Sequence, residues 1–255
     1  MPDLPLVVSR LRAAGCVFAE DEARLLVAAA GSSAELDDMV GRRVAGLPLE
    51  QVLGWAEFCG LRIAVEEGVF VPRRRTELLV REAVTLAASG AVVVDLCCGT
   101  GAVGLALAAL LNGVELHAVD VDAAAVRCAQ RNIGAAGRVY EGDLYGPLPA
   151  TLRGRVDLLV ANAPYVPTEA IALMPPEARE HEHRVALDGG ADGLDVQRRV
   201  AADAAGWLAP GGHLLIETSE RQSPQTVEAM TRHGLVPRVV RSADLDGTVV
   251  VGAPS

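Results

Sequence analysis

The spacing of apolar positions changes along this chain, and the change separates two kinds of structure. Helices are predicted over residues 4–14 and 20–30, the second with Leu25, Leu26 and Ala29 on one face and Asp21-Glu22 where acids favour a helix start. Gly31-Ser32-Ser33 interrupts it. A third helix near 34–44 is ended by Gly46-Leu47-Pro48. Leu61, Ile63 and Val65 then alternate with other positions, which predicts a hairpin over 57–65. A small helical unit with a hairpin is therefore expected over residues 1–65, and a second unit over 66–255.

From about residue 75 short apolar runs alternate with helical patterns. Helix 76–88 precedes strand 91–96, and a helix from Ala102 precedes strand 114–120. Helix 122–134, strand 138–141 and strand 156–161 follow. After an irregular stretch containing prolines come helix 193–208, strand 212–217, helix 223–233, and strands near 235–241 and 247–252. Strands alternating with helices predict an α/β fold, a mostly parallel sheet with helices on both faces. Only Ser242–Asp246 joins the final two strands, so the sheet is expected to finish antiparallel.

Composition narrows this picture. Apolar residues make up 51% of the 255, enough for a real core. No apolar run approaches the roughly 18–20 residues of a membrane span, and Met1-Pro2-Asp3-Leu4-Pro5 does not read as a signal peptide. A soluble, cytoplasmic protein with no membrane partner is expected. The net charge is −10, with all 23 basic residues arginine and only 3% aromatics. Such a chain has little field or stacking surface for nucleic acid, which is not expected as a partner. Five cysteines without metal spacing read as reduced thiols, with Cys16, Cys59 and Cys128 in apolar settings.

Two motifs carry chemistry. In Val92-Val93-Val94-Asp95-Leu96-Cys97-Cys98-Gly99-Thr100-Gly101, glycines 99, 101 and 104 spell G-x-G-x-x-G between a strand and a helix. Alone that pattern also fits a dinucleotide. Asp95, four residues before the first glycine, instead suits a ligand bearing an ammonium and a sulfonium. Asp120, followed by Val121, ends the next strand, where a carboxylate can hold two ribose hydroxyls; Asp122 competes for that role. Asp143, followed by Leu144, falls past the third strand, where it can meet an adenine amino group. Any one of these acids alone reads as an ordinary turn residue. Three at successive strand ends mark a binding edge.

The second motif is Asn162-Ala163-Pro164-Tyr165, at the exit of strand 156–161. An amide nitrogen is a poor nucleophile because its lone pair is delocalised. Asn162 can accept one N–H of such a group, and the Ala163 carbonyl the other. Pro164 keeps the turn extended, and Tyr165 offers an aromatic wall to a cation. Alignment and electrostatics would then carry catalysis, with no histidine base. The bland alternative is an ordinary strand-exit turn.

Together these residues resemble the HemK-type glutamine-N5 methyltransferases, which act on peptide chain release factors. The resemblance runs from about Gly46 through Leu53-Gly54, Glu57-Phe58 and Val71-Pro72-Arg73-x-x-Thr76-Glu77-Leu78-Leu79. Its most specific part is Ala186-Leu187-Asp188-Gly189-Gly190-x-Asp192-Gly193-Leu194-Asp195. It implies a Rossmann-like class I methyltransferase with a seven-stranded sheet whose last strand is antiparallel, preceded by a small helical substrate-recognition region. It also implies S-adenosylmethionine as cofactor, Asn162 as the residue holding the substrate amide, and a GGQ-containing release factor as partner. The donor residues expected are Asp95, Cys97, Gly99, Thr100, Gly101, Asp120, Val121, Asp143, Leu144 and Asn162; the acceptor residues are Asn162, Ala163, Pro164 and Tyr165. The family's acceptor turn is Asn-Pro-Pro-Tyr, so Ala163 is a departure, as are Arg74-Arg75, Cys97-Cys98 and His183.

The remaining features read blandly. His181-Glu182-His183 reads as a charged loop, and no metal is expected. Arg73-Arg74-Arg75 read as solvated, and Trp55 and Trp207 as packing residues. A small-molecule N-methyltransferase and, less favoured, a nucleic-acid amino methyltransferase are the competing functions.

Overall fold

A computed structural model describes residues 4–255. Helices α1 (Leu4–Ala13), α2 (Ala19–Ala29) and α3 (Ser33–Val44) pack on one another with the short α4 (Leu49–Leu53). Their apolar faces meet through Leu11, Ala23, Leu26 and Val40, all fully buried. Ser32 starts α3 by accepting the Glu35 N–H, the cap its sequence position invites. A two-stranded hairpin follows, β1 (Trp55–Phe58) with β2 (Leu61–Ala64), turning at Cys59-Gly60.

The rest is built on one sheet. Its strands are β3 (Val92–Leu96), β4 (Glu115–Asp120), β5 (Gly137–Glu141), β6 (Val156–Ala161), β7 (Leu208–Thr218), β8 (Leu235–Ser242) and β9 (Gly247–Pro254). Their order is β5-β4-β3-β6-β7-β9-β8. β9 runs antiparallel to both its neighbours, and the pairings from β5 to β7 are parallel. This is the seven-stranded Rossmann-like arrangement of class I methyltransferases, as expected.

Strand alternation decides which side chains go where. Val93, Leu158, Val160 and Leu215 face a layer made by α5 (Glu77–Leu86), α6 (Ala102–Leu110) and α7 (Ala123–Ile133). Val94, Leu96, Leu159, Leu214 and Ile216 face α9 (Asp195–Ala204) and α10 (Ser223–Arg232). Buried on both sides, the central strands are near-continuous apolar runs, as parallel strands must be.

Three details depart from the sequence expectation. Helix α9 covers Asp195–Ala204 rather than 193–208, because Gly193 sits at φ +81° and Leu208 belongs to the next strand. Strand β7 is longer than expected, 208–218, with a register irregularity opposite Val156–Leu158 where Pro210 and Gly211 hide the strand pattern. The stretch before Ala186 holds a further short helix, α8 (Pro176–His181).

In the charged segment His181–His183 the middle residue is turned inward. Glu182 is buried, and its Oε1 accepts the Val71 N–H at 3.1 Å and an Arg73 N–H at 2.5 Å. Arg73 is thus paired and also lies over Phe70, against the solvated reading; Arg74 and Arg75 are exposed. Trp207 is buried and stacks on Tyr145, as a packing residue should. Cys128 is buried, whereas Cys16 and Cys59 are only partly so; all five cysteines are free thiols. No helix among the described residues is long and apolar enough to cross a membrane.

Candidate active site

A cavity of about 880 Å³ opens at the carboxyl edge of the sheet, where β3, β4 and β6 end. Ligands of open α/β sheets bind at this edge because strand ends and helix starts leave it uncovered. Of the donor and acceptor residues expected from sequence, all but Gly101 line this cavity.

On the donor side, Asp95 faces α6 and is 1% exposed. Its Oδ2 accepts the Gly104 N–H at 2.8 Å. Burial pushes its carboxyl up to about 7, more than that hydrogen bond can offset, and Asp120 nearby adds to the rise. Such a carboxyl is well placed to receive a cation.

The three glycines do different work. Gly99, at φ +54°, leaves open space where a side chain would stand. A Cβ at Gly101 would meet Ile133 at 2.9 Å, and one at Gly104 would meet Leu116 at 3.0 Å and Asp95 at 3.1 Å. The latter two therefore permit close packing, and Gly99 alone gives backbone to the cavity.

Asp120 receives two backbone donors, Gly99 N–H on Oδ2 at 2.8 Å and Asp122 N–H on Oδ1 at 2.9 Å. Burial raises its pKa. Both oxygens of Asp122 are engaged elsewhere. Oδ1 caps α7 through the Ala124 N–H, and Oδ2 lies 2.5 Å from His183 Nδ1. Asp143 is exposed and paired with Arg199 of α9. Val121, 52% exposed, and Leu144 supply apolar wall between these acids. A buried carboxylate, a second acid at a strand end and apolar walls match an ammonium, ribose hydroxyls and a purine ring. The residues present fit S-adenosylmethionine. The thiols of Cys97 and Cys98 are raised by burial first and then by the neighbouring carboxylates, so neither is an activated nucleophile.

On the acceptor side, Asn162 leaves β6 toward the α5 layer. Its Nδ2 donates to Thr76 Oγ1 at 3.4 Å, which leaves Oδ1 free of that contact. Ala163 is 1% exposed. Tyr165 donates its hydroxyl to Glu217 Oε1 at 3.3 Å, and burial with that carboxylate raises the phenol pKa, keeping it neutral.

The glycine-rich segment 186–195 clamps this turn. Val166 N–H donates to Leu187 O at 3.0 Å and Gly189 N–H to Val166 O at 2.9 Å. A Cβ at Gly189 would stand 2.7 Å from Pro164 O, and one at Gly193 2.3 Å from Tyr165 O. Gln222 Nε2 donates to the same Tyr165 carbonyl at 2.9 Å. Sequence reasoning missed Gln222 and the contacts of Thr76 and Glu217. Only Glu217 carried a signal, an acid closing an apolar strand. Among the described residues no group of three or more His, Cys, Asp or Glu side chains is arranged to hold a metal ion.

Comparison with known proteins places this geometry. Residues 60–174 match the family model described as "Methyltransferase small domain". The chain is 40% identical over 199 residues to a release factor glutamine methyltransferase of Geobacter sulfurreducens, covering 77% of this chain and 69% of that one. It is 37% identical to a 4-amino-L-phenylalanine/4-methylamino-L-phenylalanine methyltransferase of Streptomyces pristinaespiralis, covering 72% of this chain and 65% of that one. A methyltransferase structure from Pyrococcus furiosus superposes with a TM-score of 0.57 at 16% identity, over 76% of this chain and 88% of that one, a likeness of fold alone. The chain belongs to the release factor glutamine methyltransferase family and is an S-adenosylmethionine-dependent methyltransferase.

Proposed function

We propose that this enzyme methylates the side-chain amide nitrogen of a glutamine in a GGQ-containing peptide chain release factor. The observation that carries the reading is the Asn162 amide, held by Thr76 at the junction of the donor cavity and the acceptor turn. The relatives' named activity supports it.

S-adenosylmethionine supplies an electrophilic methyl group when bound. Asp95 holds its ammonium end, Asp120 its ribose hydroxyls, and Asp143 with Leu144 and Val121 the adenine. The loop through Cys97, Gly99, Thr100 and Gly101 brackets it. Asp120 accepts only backbone N–H groups, whereas Asp122 also holds the His183 side chain, and the ribose is therefore assigned to Asp120. Asn162 Oδ1 and the Ala163 carbonyl accept the two N–H groups of the glutamine amide. Two acceptors on one nitrogen hold its lone pair toward the donor. Pro164 and Tyr165 fix that geometry, and the clamp at Gly189–Gly193 keeps it from relaxing. The helical unit of residues 1–65 is read as the part that recognises the protein substrate, and a cytoplasmic location belongs to the same reading.

A second reading has a specific observation behind it. Alanine at 163 departs from the first proline of the family's turn, and one relative acts on an aryl amine of an amino acid. A small-molecule amine is therefore the alternative acceptor. Labelled S-adenosylmethionine incubated with release factor, a GGQ-containing peptide, 4-amino-L-phenylalanine, DNA and RNA separates the two. Label is expected in release factor. Label in the free amino acid alone would replace the first reading with the second.

Asn162→Ala is expected to lower turnover by on the order of 10²–10³ while donor affinity changes little, since its oxygen acts on the acceptor nitrogen. Wild-type turnover in that variant would remove Asn162 from the acceptor site.

A further inference from the structure

Gln222 is 5% exposed and does not line the cavity. It lies in the single turn that leads into α10, and its side chain reaches the acceptor turn from behind the wall. Its Nε2 donates to Tyr165 O at 2.9 Å and to Asp192 O at 3.1 Å. Its Oε1 accepts the Ser219 hydroxyl at 2.5 Å. Backbone carbonyls only accept hydrogen bonds, so the end of the amide that lies between two of them must be the NH₂. Both N–H groups are thereby used, and the oxygen is held by Ser219. A Cβ at Gly193 would stand 2.5 Å from Nε2, so glycine at that position is what lets the amide reach both carbonyls.

The two carbonyls belong to different walls of the cavity. Tyr165 ends the acceptor turn that begins at Asn162. Asp192 leads into α9, whose Asp195, Val196 and Arg199 line the cavity and whose Arg199 pairs with Asp143 on the donor side. Resting on the reading of Asn162 as the acceptor-binding group, we propose that Gln222 is a positioning residue that sets the acceptor turn against the donor wall. Methyl transfer needs nitrogen, methyl and sulfur in line, and a misplacement of about 1 Å costs on the order of a hundredfold in rate. The bonds of Val166 tie the turn to Leu187 and Gly189. Gln222 adds a tie to the start of α9 and to the α10 side of the sheet, so the acceptor amide and the donor share one frame.

The amide can be read without any substrate. In ¹⁵N-labelled protein the Gln222 side-chain NH₂ signals are identified by their loss in Gln222→Met. Both protons are expected to exchange with water about tenfold or more slowly than those of an exposed glutamine side chain. Exchange of either proton at the exposed rate overturns the two-carbonyl geometry and the inference with it.

Turnover on release factor tests the positioning role, with thermal melting to count folded molecules. Gln222→Met keeps the length of the side chain and removes its N–H groups. Its kcat should fall about tenfold or more, with acceptor KM and donor Kd within about threefold of wild type. A side chain that only supported the fold would leave kcat per folded molecule unchanged, and that result, or a loss confined to KM or donor Kd, overturns the inference. If Gln222→Met does not fold, Ser219→Ala takes its place, since it removes the hydroxyl that holds Oε1. Its kcat should fall about threefold or more with the same split, and a wild-type kcat overturns the inference. Full activity in Asn162→Ala overturns the acceptor reading itself, whatever the Gln222 and Ser219 variants show.

Discussion

Gly193 lies against the carbonyl of Tyr165, so closely that a methyl group at position 193 would stand 2.3 Å from that oxygen. Its φ of +81° is also one that side chains resist. Gly193→Ala therefore has to move the acceptor turn or the start of α9. A loss of roughly 2–4 kcal/mol is expected from overpacking and backbone strain together. Urea unfolding measures it, and turnover should fall further than stability alone explains because the turn itself is displaced.

Asp95 makes donor binding depend on pH. Its carboxyl is pushed up to about 7 by burial, from 3.8 in the open chain. Holding an ammonium requires the ionised form, so donor binding below that value must expel a proton. Affinity is expected to fall about tenfold per unit as pH drops below about 7, and to level off above it. For the free protein the sign is opposite. The folded state binds this proton more tightly than the unfolded one, so the contribution of Asp95 to stability declines as pH rises from about 4 to 7. Calorimetry at pH 6 in buffers of different ionisation enthalpy detects the released proton. Asp95→Asn should abolish the release; its persistence would assign the proton to another group.

Ala163→Pro tests the acceptor turn. Residue 163 lies beyond β6, and its N–H makes no turn or loop hydrogen bond among the described residues. A ring there should be tolerated. Activity on release factor is expected to be equal or higher, because fixing φ removes freedom from the turn. Reduced methylation of a small amine, with none on release factor in either protein, would favour the second reading.

Much of this site was legible before any coordinates. The runs ending at Asp95, Asp120 and Asn162 are short, apolar and followed by helix or turn signals, so strand ends could be placed and the acids with them. Local pattern could not reach contacts made across the chain. Glu182 reads in sequence only as part of a charged loop; its partners, Val71 and Arg73, lie 111 and 109 residues away. Thr76 meets Asn162, and Glu217 meets Tyr165, only when β6, β7 and the start of α5 are brought together. The short helices α4 and α8, of five and six residues, are too brief to display a period.

Cys97 carries a backbone cost that can be removed. It holds φ +56° in the donor loop, a region open chiefly to glycine. Cys97→Gly is expected to stabilise the protein by about 0.5–1 kcal/mol, the relief of strain being partly offset by glycine's greater freedom when unfolded. Chemical denaturation measures this, and donor Kd reports whether the thiol also touches the ligand. Destabilisation would mean that the side chain's packing outweighs the strain.

The strand order carries a consequence for how the enzyme is made. β9 lies between β7 and β8, so the hairpin they form must dock as a late piece against β7. Until it does, β7 presents an open edge that can pair with another chain. Glu217 lies on that edge, opposite Val249. The same docking that protects the newborn sheet from association therefore also seals water away from the carboxyl behind Tyr165.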